Sequence, residues 1–203
     1  MHAFVRRVGA VGVAVALVLL AACDGEDEPS GPTATVPQPT TTTDPYAVPE
    51  VINEAYVNRV LAGLNSLVGD AVRLVVQTKV IDEEVFNRFK AAYVGDLLQL
   101  ELDFLQRDLF ANFAGAREVP GDKKTTVVRL ITVQPSCIFA EVAKDFSAVV
   151  DRPNLTLSTQ WVALVPLELG KDAANYNPTR WMFMYDGFQE DRSQPPDPCA
   201  SEQ

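Results

Sequence analysis

Histidine is all but missing from this chain: the single one, His2, stands at the extreme amino terminus. Everything beyond it is therefore closed to His-based catalytic triads, His-ligated zinc and histidine acid–base chemistry. Cysteine is almost as scarce, with Cys23, Cys137 and Cys199 the only three, so no cysteine-rich metal site can be assembled. The apolar run from Val8 to Leu20 is too short for a stable membrane span, which takes about 20 residues. Positive charge is in the minority, 17 Lys and Arg against 27 Asp and Glu for a net charge of −10, and such a balance repels phosphate backbones and anionic headgroups. No nucleic-acid partner is expected. There is no internal repeat and no catalytic or metal-binding motif, so the expectation is a protein without cofactor or metal that is not an enzyme.

What is present begins with the amino-terminal segment. Arg6 and Arg7, the apolar run and the small residues before Cys23 have the layout of a secretory signal. The tetrapeptide Leu20-Ala21-Ala22-Cys23 resembles the lipobox of bacterial lipoproteins, and the acidic Asp24-Gly25-Glu26-Asp27-Glu28 next to it could not continue a packed helix. The resemblance implies that residues 1–22 are a signal peptide, that a diacylglyceryl group is added to the sulfur of Cys23, and that cleavage leaves Cys23 first. Acyl chains then anchor the protein in the lipid bilayer on the outer face of the cytoplasmic membrane. Without Arg6 and Arg7 the mature chain carries 15 basic residues against 27 acidic ones, a charge of −12, and no histidine. Outside the cytoplasm the remaining pair, Cys137 and Cys199, reads as a disulfide. Closing that loop would be worth about 4 kcal/mol in the chain-entropy description and would pin the carboxy-terminal tail to the folded body.

Residues 23–45 form the lipidated cysteine and a linker. From Pro29 to Pro45 the composition is Pro, Thr, Ser, Gly and Gln with few apolar groups, too little burial to offset ordering entropy. Residues 46–203 are long enough for one domain with one core.

Within that domain, Val57, Val60, Leu61, Leu64, Leu67, Val68, Ala71, Val72 and Val75 fall three and four apart, the spacing of a helix with one buried face, within Val48 to Lys79. Gly63 and Gly69 mark either close contacts or a break. Asp82, with Glu83 and Glu84 after it, reads as the N-cap of a second helix continuing to about Phe113 with two apolar stripes. Past a polar loop the period shortens to two. Strands are expected over Thr125 to Gln134, Cys137 to Val150, Leu157 to Val165 and Thr179 to Phe188, the middle two forming a hairpin turned at Pro153-Asn154. The fold class is α+β: two long N-terminal helices packed on a curved four-stranded antiparallel sheet. This order resembles the NTF2-like (cystatin-like) superfamily, which implies a bent sheet wrapping a long helix, often with a pocket at its mouth.

Candidates for chemistry are few. Lys144 stands alone on the apolar side of its strand, either a pocket-lining charge with a shifted pKa or, more simply, a side chain whose head reaches water. Trp161, Trp181, Phe183 and Tyr185 read as core or as a ligand platform, so with Lys144 they make up the candidate pocket or interface. Asp96, Glu101, Asp103 and Asp108 form an acidic set whose plain reading is a solvated helix face. Asp186-Gly187 near Glu190-Asp191 has a faint calcium character, but the fixed spacing of a calcium loop is absent. The reading with most support is a non-catalytic binding or scaffolding module of the cell envelope, engaging an envelope protein or a small apolar ligand. The alternatives are a carboxylate- or lysine-dependent enzyme of NTF2-like type and a structural subunit of an envelope assembly.

Overall fold

In the computed structural model the first helix, α1 (Glu54–Thr78), starts where Asn53, in extended conformation, accepts a hydrogen bond from the Tyr56 N–H at 3.0 Å, satisfying one of the open donors of the first turn. It ends at Lys79, whose left-handed φ of 59° lets its N–H reach the Val75 carbonyl at 2.8 Å. Val57, Val60, Leu61, Leu64, Leu67, Ala71 and Val75 are buried, as their spacing requires. Neither glycine breaks the helix. A Cβ at Gly63 would collide with the Thr179 methyl and one at Gly69 with the Asp122 carboxylate, so both mark close approaches. Among the described residues α1 alone is long and apolar enough to cross a membrane, and its apolar face is packed in the core.

The described residues are 44–110, 117–151, 158–167, 175–187 and 193–202, and residues 42–203 form a single compact unit. The lipobox, Cys23 and most of the linker lie outside the described residues, as do the Pro153-Asn154 turn and Glu190-Asp191. Asp44, just before the expected domain boundary, accepts from the Tyr46 N–H at 2.9 Å and pairs with Arg180 at 3.0 Å.

The expected second helix is two helices. α2 (Glu83–Ala92) does start at Asp82, whose carboxylate accepts from the Val85 N–H at 2.9 Å. It stops at Tyr93, which turns extended, and the Val94 N–H leaves the helix to donate to the Phe183 carbonyl at 3.0 Å. Gly95 then takes φ +63°, a left-handed conformation that costs glycine little, and α3 (Asp96–Phe110) starts directly after it.

Four strands complete the fold, β1 (Lys124–Gln134), β2 (Cys137–Asp145), β3 (Ser158–Pro166) and β4 (Trp181–Gly187), an antiparallel meander with spatial order β1-β2-β3-β4 and two open edges. The second strand is shorter than its alternation suggests. Beyond Asp145 the chain turns, and the N–H groups of Val149 and Val150 both donate to the Phe146 carbonyl at 2.8 and 2.9 Å. β1 slips register twice against β2, and β4 slips once against β3, where Ala163 pairs with Tyr185 but Leu164 with Phe183. Met184 is thus an extra residue, a bulge that reverses the facing of Tyr185 and Asp186.

The helices cover one sheet face, with Ile138, Ala140, Val142, Val162, Leu164, Trp181 and Phe183 contributing to that core. The opposite face buries Phe139, Trp161 and Ala163 beside Cys137 and Cys199, whose sulfurs lie 2.06 Å apart, at bonding distance. The carboxy-terminal 3-10 turn (Pro198–Glu202) is held there also by Asp197, which contacts the Thr132 hydroxyl and accepts from the Cys199 N–H at 2.8 Å.

Candidate functional site

The candidate residues divide between the two faces. Trp181 and Phe183 point into the helix-side core, whereas Trp161 and Tyr185 belong to the opposite face near the cysteine pair. Simple alternation puts Trp181, Phe183 and Tyr185 on one side; the Met184 bulge separates Tyr185 from the other two and turns Asp186 inward. The four aromatics therefore form no single platform. Trp181 is a core residue whose indole N–H donates to the Tyr56 hydroxyl at 2.8 Å, and Tyr56 in turn donates to the Tyr46 carbonyl at 3.2 Å.

Lys144 does not reach water. Its side chain is 3% exposed, and its Nζ makes direct contact with Asp186 Oδ1, from a side chain 4% exposed. A second lysine, Lys123, just before β1, places its Nζ 3.3 Å from Asp186 Oδ2 and lies over the rings of Phe146 and Phe183, 5.9 and 5.8 Å from their centroids. Each oxygen of one carboxylate is thus held by a different lysine. α3 adds Glu101, whose charge acts on both lysines and on the buried Tyr93. Tyr93 stacks on Phe183 with centroids 5.4 Å apart. Thr125, paired with Lys144 across β1 and β2, accepts from the Asn65 amide at 2.9 Å and continues the polar floor toward α1.

Burial sets the electrostatics. Loss of hydration pushes the Lys144 amine well below the usual lysine range; Lys123 pushes the same way and Glu101 opposes. Burial also lowers Lys123, against the pull of Glu101. Glu101 is shifted upward by burial, although both lysines favour its charged form. The Tyr93 phenol is pushed well above its ordinary range by burial and by Glu101.

Of the acidic set on α3, Glu101 joins this cluster, while Asp96 and Asp103 face an open cleft. The Asp108 side chain lies outside the described residues. Asp103 accepts from the Gln99 amide at 2.6 Å. That cleft, of about 590 Å³, runs between α3 and β4, with Leu97, Leu100, Tyr185 and Asp186 in its walls. A second, of about 490 Å³, lies on the other flank of α3 and is lined by Val80, Ile81, Phe86 and Leu102. Among the described residues no group of three or more His, Cys, Asp or Glu is placed to hold a metal ion, and the Asp186 oxygens are occupied by lysines.

Two features that apolar periodicity overlooks do have a signal in the sequence. Gly95-Asp96 is a helix stop with a start directly after it, and Lys123 lies two residues before a β-branched strand. The inward turn of Asp186 has no local signal. Comparison with protein families, characterised proteins and solved structures finds no match for this chain.

Proposed function

We propose that the protein is a lipid-anchored module on the outer face of the cytoplasmic membrane, held through Cys23, which binds or scaffolds another envelope component without catalysing a reaction. The carrying observation is the apolar surface around α3. Leu100 and Phe104 on α3 are 62% and 50% exposed, and Val80 and Phe86 beside it are 52% and 42% exposed. Large side chains gathered along two clefts in this way are typical of protein contact surfaces. The rim is acidic, with the exposed Asp96 and Asp103 lining the α3–β4 cleft, which suits a partner segment carrying both apolar and basic residues. The clefts are shallow and open, a better fit to a protein surface than to an enclosed small ligand. The NTF2-like arrangement is proposed on the order of helices before an antiparallel sheet; the open sheet edges leave it resting on that order.

The enzyme reading draws support from Lys144, Lys123, Asp186 and Glu101, since converging ionisable groups are what it requires. Their burial weighs against it, because a diffusing substrate has no path to an amine 3% exposed.

Recovery of cross-linked partners from membranes of the producing cell tests the proposal. The intact chain should retain a partner that Leu100→Glu and Phe104→Glu lose while their folding is unchanged. Equal recovery by all three would overturn the α3 surface. For the anchor, Cys23→Ala should leave the domain folded and move it from the membrane to the soluble fraction; unchanged fractionation would overturn it.

A further inference from the structure

We propose that Lys144 and Asp186 condense after folding into an intramolecular amide bond. The bond would join β2 to β4 across β3 and close a loop with a sequence separation of 42. It stands independently of the docking surface proposed above.

The arrangement supplies each group the reaction needs. The nucleophile is the Lys144 amine, in direct contact with the Asp186 carboxyl group. In water such a pair stays as two hydrated ions, because hydration stabilises the charges. Here both side chains are almost fully buried, and an interior that penalises charge favours proton transfer within the pair to give a neutral amine and a neutral acid. The Nζ lone pair then attacks Asp186 Cγ. Negative charge develops on Oδ2, the oxygen facing Lys123 at 3.3 Å, and that ammonium is positioned to stabilise it.

A proton on Nζ passes to Oδ1, the oxygen the amine already touches. The Cγ–Oδ1 bond breaks, the C–N bond remains, and one water leaves. No oxidant, reductant, metal or cofactor enters the balance. Phe146 and Phe183 beside Lys123 and the near-complete burial of the Lys144 and Asp186 side chains limit the water that reaches the intermediate.

Folding brings the two reactants together from different strands. Lys144 lies on the helix face of β2, and Asp186 reaches that face only through the Met184 bulge. The unfolded chain should therefore not cross-link.

A tryptic map of the full-length protein, reduced and denatured after purification in the folded state, tests this directly. An amide at Lys144 blocks cleavage there, and Arg152 precedes Pro153, so residues 130–171 should appear joined to residues 181–192, lighter by one water than the two peptides together. Asp186→Ala and Lys144→Arg should abolish the joined species. Recovery of a peptide ending at a free Lys144 together with unlinked 181–192 as the main species would overturn the bond. A link mapped to Lys123 would overturn the choice of nucleophile.

Discussion

β4 enters and leaves the core through two buried polar clusters of different kinds. At its start the cluster is neutral. The Asn177 amide donates to the Ala91 and Trp181 carbonyls at 2.6 and 2.7 Å, and its oxygen accepts from the Thr179 N–H and hydroxyl at 2.9 and 2.7 Å. Every polar atom of that side chain has a partner, so the cluster closes the end of α2 onto β4 and has nothing left over to react. At its other end the cluster is ionic: Lys144, Lys123, Asp186 and Glu101 share a space where charge is costly. Hydrogen bonds settle the first arrangement, whereas the second retains an electrophilic carboxyl group in contact with an amine.

The largest effect should come from breaking the ionic end. Asp186→Ala leaves Lys144 without its partner in the interior and should cost about 3–5 kcal/mol in denaturant unfolding. The double variant Lys144→Met with Asp186→Leu removes both charges and should recover most of that loss, because burying apolar groups there is cheaper than burying one unpaired ammonium. A double variant as unstable as Asp186→Ala would show that the lost Lys144–Asp186 link, and not the unpaired charge, carries the loss.

The neutral end should respond less. Asn177→Ala strands two carbonyls and the Thr179 donors, and should cost about 1–3 kcal/mol in the same unfolding experiment. A loss as large as that of Asp186→Ala would erase the distinction between the ends. The smallest effect is electrostatic. Because burial holds the Glu101 carboxyl above the ordinary glutamate range, the folded state keeps its proton longer than the unfolded chain does. Acidification through that interval favours the fold, and rising pH removes the contribution, the reverse of an ion-paired carboxylate. Infrared spectra should show a protonated carboxyl band that persists above the usual glutamate range and is missing in Glu101→Gln.

Much of this architecture is legible in the chain. The buried stripe of α1, the N-cap at Asp82 and the four strands come from periodicity and capping chemistry, which act locally. The break at Tyr93 is hidden from apolar periodicity because the stripes run through it: Phe89 and Leu97 remain buried, and its only local mark is Gly95-Asp96, while the Val94 hydrogen bond that fixes it goes to a strand far along the chain. Lys144 stands out as the exception on an apolar face, but its partner does not. Alternation turns Asp186 outward, and a single unpaired residue at Met184 reverses it. Bulges of this kind depend on how two strands meet, information that neither strand carries alone.

If the ionic end is a site of completed chemistry, the intact mass of the unfolded, reduced chain measures it most directly. The native protein and Asn177→Ala should both weigh one water less than the linear chain with its acyl groups, with Asp186→Ala at its full expected mass. Native protein at full mass would contradict it.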